Sequence, residues 1–307
     1  MTLLNVLSVD VEDYFQAEAL HVPYECWGSC GLRVERNVNR ILELFAKYEA
    51  KGTFFVLGWI AEKLPHLARE ISGAGHEIGC HGYAHRRLQT MMPEQFRLDL
   101  SRATICLTDQ IQKPMQCYRA PSFSVVKDTL WAIDILAEQG YRFDSSVFPV
   151  RHDFYGIPGA ERFAHWQVTP LGNRIFEFPP STIRQLHNNL GVGGGGYLRI
   201  FPYRMTQWGL RHINHIEREP AMVYFHPWEI DPEQPQIRAG LRSRLRHYTN
   251  LSIMESKIER LLKEFHFTTL SDACTQHHAY LETARALSAA ASTDRQFPVK
   301  CASRQMN

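Results

Sequence analysis

Thr53-Phe54-Phe55-Val56-Leu57 is an apolar run that follows directly on a Lys51-Gly52 turn. A strand with one wet face alternates polar and apolar residues, whereas a strand covered on both faces does not. The run therefore predicts a buried strand with cover above and below. Upstream, Val38, Ile41, Leu42, Leu44 and Phe45 recur at helical spacing within residues 36–50. Downstream, residues 60–74 read as a helix that Pro65 interrupts or restarts. The same reading places strands at 3–9, 77–80, 116–119, 142 onward, 175–178 and 222–225. It places helices at 93–111, with Pro93 in the first turn, at 127–139 and at 250–266. Strand and helix in alternation point to parallel strands joined by crossover helices.

Bulk properties narrow the classes. A chain of 307 residues suffices for one large α/β domain or two small ones. A formal charge of +2 gives no ground for nucleic-acid binding or for an acidic membrane surface. The longest apolar run, residues 53–61, is too short to cross a bilayer, so no integral membrane protein is expected. The N-terminus has no basic start and reaches Asp10 at once, which reads as a buried first strand and not as a signal peptide. A cytoplasmic location is expected on that basis, with peripheral membrane association left open. Seven cysteines in no regular framework suit a reducing compartment, and Cys26 and Cys30, with no second pair, read as plain thiols. The glycine run 191–196 lacks the Gly-Lys-Ser/Thr of a phosphate loop, so it reads as a flexible loop or as backbone approaching a ligand closely. From residue 284 the core pattern stops and a disordered tail is expected.

Asp10, His81, Arg119, Asp144 and His226 each fall at or just after the end of a predicted strand. In a parallel barrel those ends converge on one face, where active sites are built. Five polar residues from five strands are hard to explain by core packing. The block Gly75-His76-Glu77-Ile78-Gly79-Cys80-His81-Gly82-Tyr83-Ala84-His85 also sets two histidines four residues apart. If the chain turns helically there, both imidazoles share a face and can grip one cation. The acidic segment Asp10-Val11-Glu12-Asp13 can add a carboxylate. Two imidazoles and one carboxylate leave positions on a divalent ion open for water and substrate, a hydrolytic arrangement.

Taken in order over residues 3–230, these blocks resemble the polysaccharide deacetylase family, the NodB-homology or carbohydrate esterase family 4 group. The resemblance rests on Asp10 with the acids after it, on Gly-His-Glu-Ile-Gly before His81 and His85, and on Arg119-Ala120-Pro121-Ser122-Phe123. Asp144-Ser145-Ser146 and Tyr224-Phe225-His226-Pro227-Trp228 complete it. Residues 10–15 and 193–203 and the C-terminal extension look like the subgroup found beside exosortase and exopolysaccharide gene clusters. The resemblance implies an α/β fold, a distorted or incomplete (β/α) barrel with a C-terminal helical extension. It implies one domain over 1–283, the extension starting near 235, and a tail over 284–307.

It also implies an activity: metal-dependent removal of N-acetyl groups from an amino-sugar polysaccharide or its precursor, in exopolysaccharide biosynthesis. The implied substrate is an N-acetylated glycan, and the implied partners are exopolysaccharide assembly proteins. His81 and His85 are the implied metal ligands, with Glu12 as the carboxylate and Asp13 as its alternative. Acids two apart in a regular strand point the same way, which favours Glu12, but a strand ending at Asp10 could present Asp13. Asp10 is the implied base on a metal-bound water, Arg119 its partner, His226 the acid that protonates the departing amine, and Asp144 the group holding the His226 ring. Zinc is the default ion, with cobalt or nickel fitting similar ligands. A backbone N–H after Tyr83–His85, or one near Phe123, is expected to stabilise the oxyanion. Phe15 and Phe123 are expected in the core and Trp228 on the surface. His187, His212, His215, His247, His266, His277 and His278 are read as surface or structural groups, and His152 and His165 stay open. Two other readings compete: hydrolysis of a small cyclic amide or imide, and a non-catalytic glycan-binding subunit.

Overall fold

The computed structural model describes residues 3–277 except 153, 170, 186 and 187. The expected tail, His187 and His278 lie outside the described residues. Eleven described strands appear in chain order: β1 (Asn5–Val11), β2 (Thr53–Val56), β3 (Glu77–Cys80), β4 (Cys117–Tyr118), β5 (Phe143–Asp144), β6 (His165–Val168), β7 (Arg174–Glu177), β8 (Thr182–Gln185), β9 (Asn188–Gly191), β10 (Met222–Phe225) and β11 (Phe267–Thr268). The main sheet runs β10-β1-β2-β3-β4-β5-β7-β6, with β11 paired to Asn5 and Val6 of β1. Its pairings are parallel except β6 with β7, while β8 and β9 form a separate hairpin. Among the described residues β10 and β6 do not meet, so the barrel is incomplete.

The apolar run at 53–57 explains the layering. Phe54 and Phe55 point to opposite faces of β2, and both are buried. Phe54 packs on Phe45 of helix α1 (Val34–Lys47), ring centroids 5.8 Å apart, in the outer core. Phe55 joins the inner cluster with Val6, Cys117, Phe143, Phe176 and Met222. Leu270, Ala273 and Cys274, from helical residues 270–277, fill the same cluster. That apolar plug occupies one end of the inner face and leaves the carboxyl ends of the strands to polar groups.

The predicted helix over 60–74 is two helices, α2 (Gly58–Lys63) and α3 (Leu67–Gly73), parted around Pro65. Helix α4 (Pro93–Ile111) matches the reading, and α5 (Trp131–Glu138) follows a single 3₁₀ turn at Lys127–Thr129. Helices α6 (Gly195–Ile200), α7 (Tyr203–His212) and α8 (Leu241–Tyr248) were not foreseen, whereas α9 (Leu251–Glu264) was. The glycine run approaches another backbone closely. Tyr224 N donates to Gly193 O (2.8 Å), and a Cβ on Gly194 would stand 2.0 Å from Tyr224 O. Only glycine allows the chain to press that closely on β10.

Candidate active site

Asp10 sits near the end of β1, with Arg119 immediately after β4. Arg119 Nη1 donates to Asp10 Oδ1 (2.7 Å) and to Ser8 Oγ (2.9 Å). Its Nε donates to Ser145 O (3.1 Å) and its Nη2 to Ser145 Oγ (2.9 Å). The guanidinium lies 4.3 Å from the centroid of the Phe55 ring and is wholly buried. Burying a charge this deeply is tolerable only with its donors placed and an anion beside it.

Glu12 lies one residue past β1 and faces the same cavity as Asp10. Glu12 Oε2 is 2.9 Å from His85 Nε2, and Glu12 Oε1 is 3.1 Å from His226 Nε2. His226 Nε2 is also 3.9 Å from Asp10 Oδ2. Burial resists charge on Glu12, but the His85 and His226 rings outweigh it and hold this carboxyl down at about 2. His81 Nδ1 donates to Arg119 O (2.8 Å). A carbonyl only accepts, so the proton is on Nδ1 and the Nε2 lone pair is free. Burial pushes His81 down to about 4, which keeps the ring neutral.

His81 and His85 do not share a helix. The chain bends through Gly82 (φ 72°) and His85 (φ 50°), and the two ring centroids come within 5.4 Å. Ser122 (φ 54°) and Phe123 (φ 50°) are also left-handed. Such strain in non-glycine residues gathers at functional sites. The Phe123 amide already donates to Ala120 O (3.0 Å), so the expected oxyanion donor near Phe123 is committed.

Thus Asp10, Glu12, His81, His85, Arg119 and His226 are brought together from separate strands. Two expected members are not. Asp13 Oδ1 accepts from Tyr14 N (2.8 Å), and its Oδ2 accepts from Arg33 N (2.7 Å) and Val34 N (2.9 Å). Both oxygens therefore cap chain turns, one of them the start of α1. Asp144 does not hold His226. It accepts from Ser146 Oγ (2.5 Å) and faces Glu177, its partner in the β5–β7 register. Burial lifts Asp144 to about 6 and Glu177 well above the usual carboxylate range. Glu177 Oε1 meanwhile accepts the amides of Ser146 and Val147.

The partner of His226 is Glu229, which sequence reasoning missed. His226 Nδ1 donates to Glu229 Oε2 (3.0 Å), and Arg199 of α6 pairs with the other oxygen. The signal was present in His-Pro-Trp-Glu, because a tight turn returns residue i+3 to residue i. Burial lowers the His226 ring, but the charge of Glu12 and the bond to Glu229 outweigh it and raise it to about 9. Trp228 is not on the surface: it is 6% exposed, 5.1 Å from the His226 ring and 4.1 Å from that of His247, stacked on both. Phe15 and Phe123 are buried. Cys26 and Cys30 are free thiols, exposed and half-buried.

Among the described residues no three His, Cys, Asp or Glu side chains stand as a finished metal centre, since the His85 and His226 rings both close on Glu12. The donor set nevertheless suits a divalent ion. Glu12 Oε2 is buried and lacks a hydrogen bond of ordinary geometry despite its closeness to His85. The tautomer of His81 leaves its Nε2 lone pair available.

This open, mostly parallel sheet with polar groups at its carboxyl ends is an α/β barrel of NodB-homology type. Residues 28–143 match the polysaccharide deacetylase family and residues 145–275 a domain of unknown function. The two matches meet at the end of β5, yet both supply strands to one sheet. Over residues 28–143 the chain is thus similar to the polysaccharide deacetylase family. It is 30% identical over 122 residues to a peptidoglycan deacetylase of Helicobacter pylori, covering 39% of each chain. It is 29% identical over 96 residues to a peptidoglycan-N-acetylglucosamine deacetylase of Bacillus cereus, 31% of this chain and 35% of that one. The matches thus span well under half of these relatives. A Mycobacterium smegmatis structure described as a candidate polysaccharide deacetylase shares the fold (TM-score 0.56, 18% identity, 99% of this chain and 96% of that one). So does an allantoinase (TM-score 0.58, 16% identity, 91% and 90%).

Proposed function

We propose that this protein is a metal-dependent hydrolase that removes N-acetyl groups from an amino-sugar glycan. The observation that carries the reading is the Arg119–Asp10 pair beside Glu12, with the His85 and His226 rings closing on that carboxylate and His81 next to His85. The deacetylases it resembles in sequence support the substrate class. Glu12, His81 and His85 would hold the ion, zinc by ligand type, which when bound supplies polarisation of the acetamide carbonyl and a more acidic water.

The chain's own groups do the rest. Asp10 accepts the proton of the attacking water. Arg119 fixes the Asp10 carboxylate through Oδ1 and leaves Oδ2 toward His226. His226 donates a proton from Nε2 to the amide nitrogen, which otherwise leaves poorly. Glu229 locks that ring through Nδ1, and Trp228 covers one of its faces. Asp144 acts at a distance: its partner Ser146 accepts the Ala120 amide (2.8 Å) and so shapes the turn after Arg119. Residues 1–283 would work as one unit, in exopolysaccharide biosynthesis, as the sequence resemblance suggests.

A second reading, hydrolysis of a small cyclic amide, is favoured by the seclusion of Asp10, Glu12 and His85, all buried. Acetate release from N-acetylglucosamine oligomers, set against ring opening of cyclic amides, tests both. Acetate release lost in Asp10→Asn supports deacetylation; ring opening without acetate release overturns it.

A further inference from the structure

Beyond the active site, residues 236–248 read Gln-Ile-Arg-Ala-Gly-Leu-Arg-Ser-Arg-Leu-Arg-His-Tyr. Helix α8 buries His247 and presents Leu241 and Leu245 to solvent, 74% and 61% exposed. With about 100° of turn per residue, these leucines fall roughly 40° apart, on the side away from His247. Arg242 and Arg246 flank them on one side and Arg244 on the other, with Arg238 one turn before the helix.

Among the described residues none of these four arginines forms an ion pair, whereas Arg33, Arg40, Arg97 and Arg102 each do. The net charge of +2 conceals this local excess. At the next corner Asn250 Nδ2 donates to Arg199 O (3.1 Å), and Ile200 and Ile253 are exposed.

We propose that the outer face of α8, with Arg238, docks on an anionic phospholipid bilayer. Guanidiniums pair with lipid phosphates, and the two leucines enter the boundary between headgroups and acyl chains. An acidic peptide or glycan would engage the arginines but would leave the leucines in water. The placement has a consequence for the site. His247, on the buried side of α8, stacks on Trp228, which stacks on His226. A docked α8 therefore holds the candidate active site one helix away from the lipid surface, within reach of membrane-attached glycan.

The test is co-sedimentation of the full chain with vesicles of phosphatidylcholine, alone or mixed with phosphatidylglycerol. Binding is expected only to the mixed vesicles and should weaken with salt. Replacing Arg238, Arg242 and Arg244 together by Ala should weaken it about a hundredfold. Leu241→Ser with Leu245→Ser should weaken it about tenfold. Circular dichroism confirms that each variant stays folded. No binding to the mixed vesicles overturns the proposal. So does a leucine variant that binds like the original chain, or tighter binding to dextran sulfate than to vesicles. None of these outcomes depends on the deacetylase reading.

Discussion

Asp10 with Glu12 and Asp144 with Glu177 are two buried acid pairs at the carboxyl ends of strands, set in opposite surroundings. Around the first pair stand a guanidinium and the rings of His81, His85 and His226. Around the second stand a serine hydroxyl and backbone amides, with Arg119 pulling only weakly. Burial is equal, so the cations decide. Glu12 is held at about 2, while Asp144 and Glu177 are raised and share a proton. A carboxylate ringed by cationic groups can do acid–base and metal chemistry, whereas an acid pair that retains a proton braces the scaffold.

The comparison can be broken at several points. Asp10→Asn should lower kcat for acetate release about 10³-fold, and Asp144→Asn less than tenfold. Equal losses would erase the distinction between the pairs. Arg119→Met should destabilise the chain by about 3–5 kcal/mol in denaturant unfolding, because it strips the buried Asp10 of its guanidinium partner. Asp13→Ala should cost about 2 kcal/mol through its lost caps, with metal content unchanged. Glu229→Gln should lower kcat about tenfold with KM unmoved, since the ring it holds protonates the leaving group.

The smallest effect concerns pH. Folded Asp144, raised to about 6, keeps a proton that the unfolded chain releases near its ordinary value of 3.8. Its stabilisation is complete below that lower value and is lost as pH rises through about 6. The denaturant midpoint should therefore fall over that window. Glu177→Gln should flatten the fall, because a glutamine amide can donate to the ionised Asp144.

Much of this was legible in the sequence, for physical reasons. Apolar runs covered on both faces announce strands, so 53–56, 77–80 and 222–225 were read to within a residue. Polar residues at their ends announced the site, because parallel strands bring those ends together. Short-range polar geometry was not legible. Whether Glu12 or Asp13 faces the cavity depends on where β1 stops, and β1 runs to Val11, which turns Asp13 outward to the amides of Arg33 and Val34. The keeper of His226 depends on a turn whose tightness the residues 227–230 only hint at. Trp228 was misread because a loop aromatic beside proline suggests exposure, and the stack with His247 comes from a helix nineteen residues further on.

The most direct measurement is elemental analysis of the purified protein and of Glu12→Gln, with Asp13→Asn alongside. The account predicts about one equivalent of transition metal in the original chain, little in Glu12→Gln and full occupancy in Asp13→Asn. Full occupancy in Glu12→Gln, or its loss in Asp13→Asn, would contradict it.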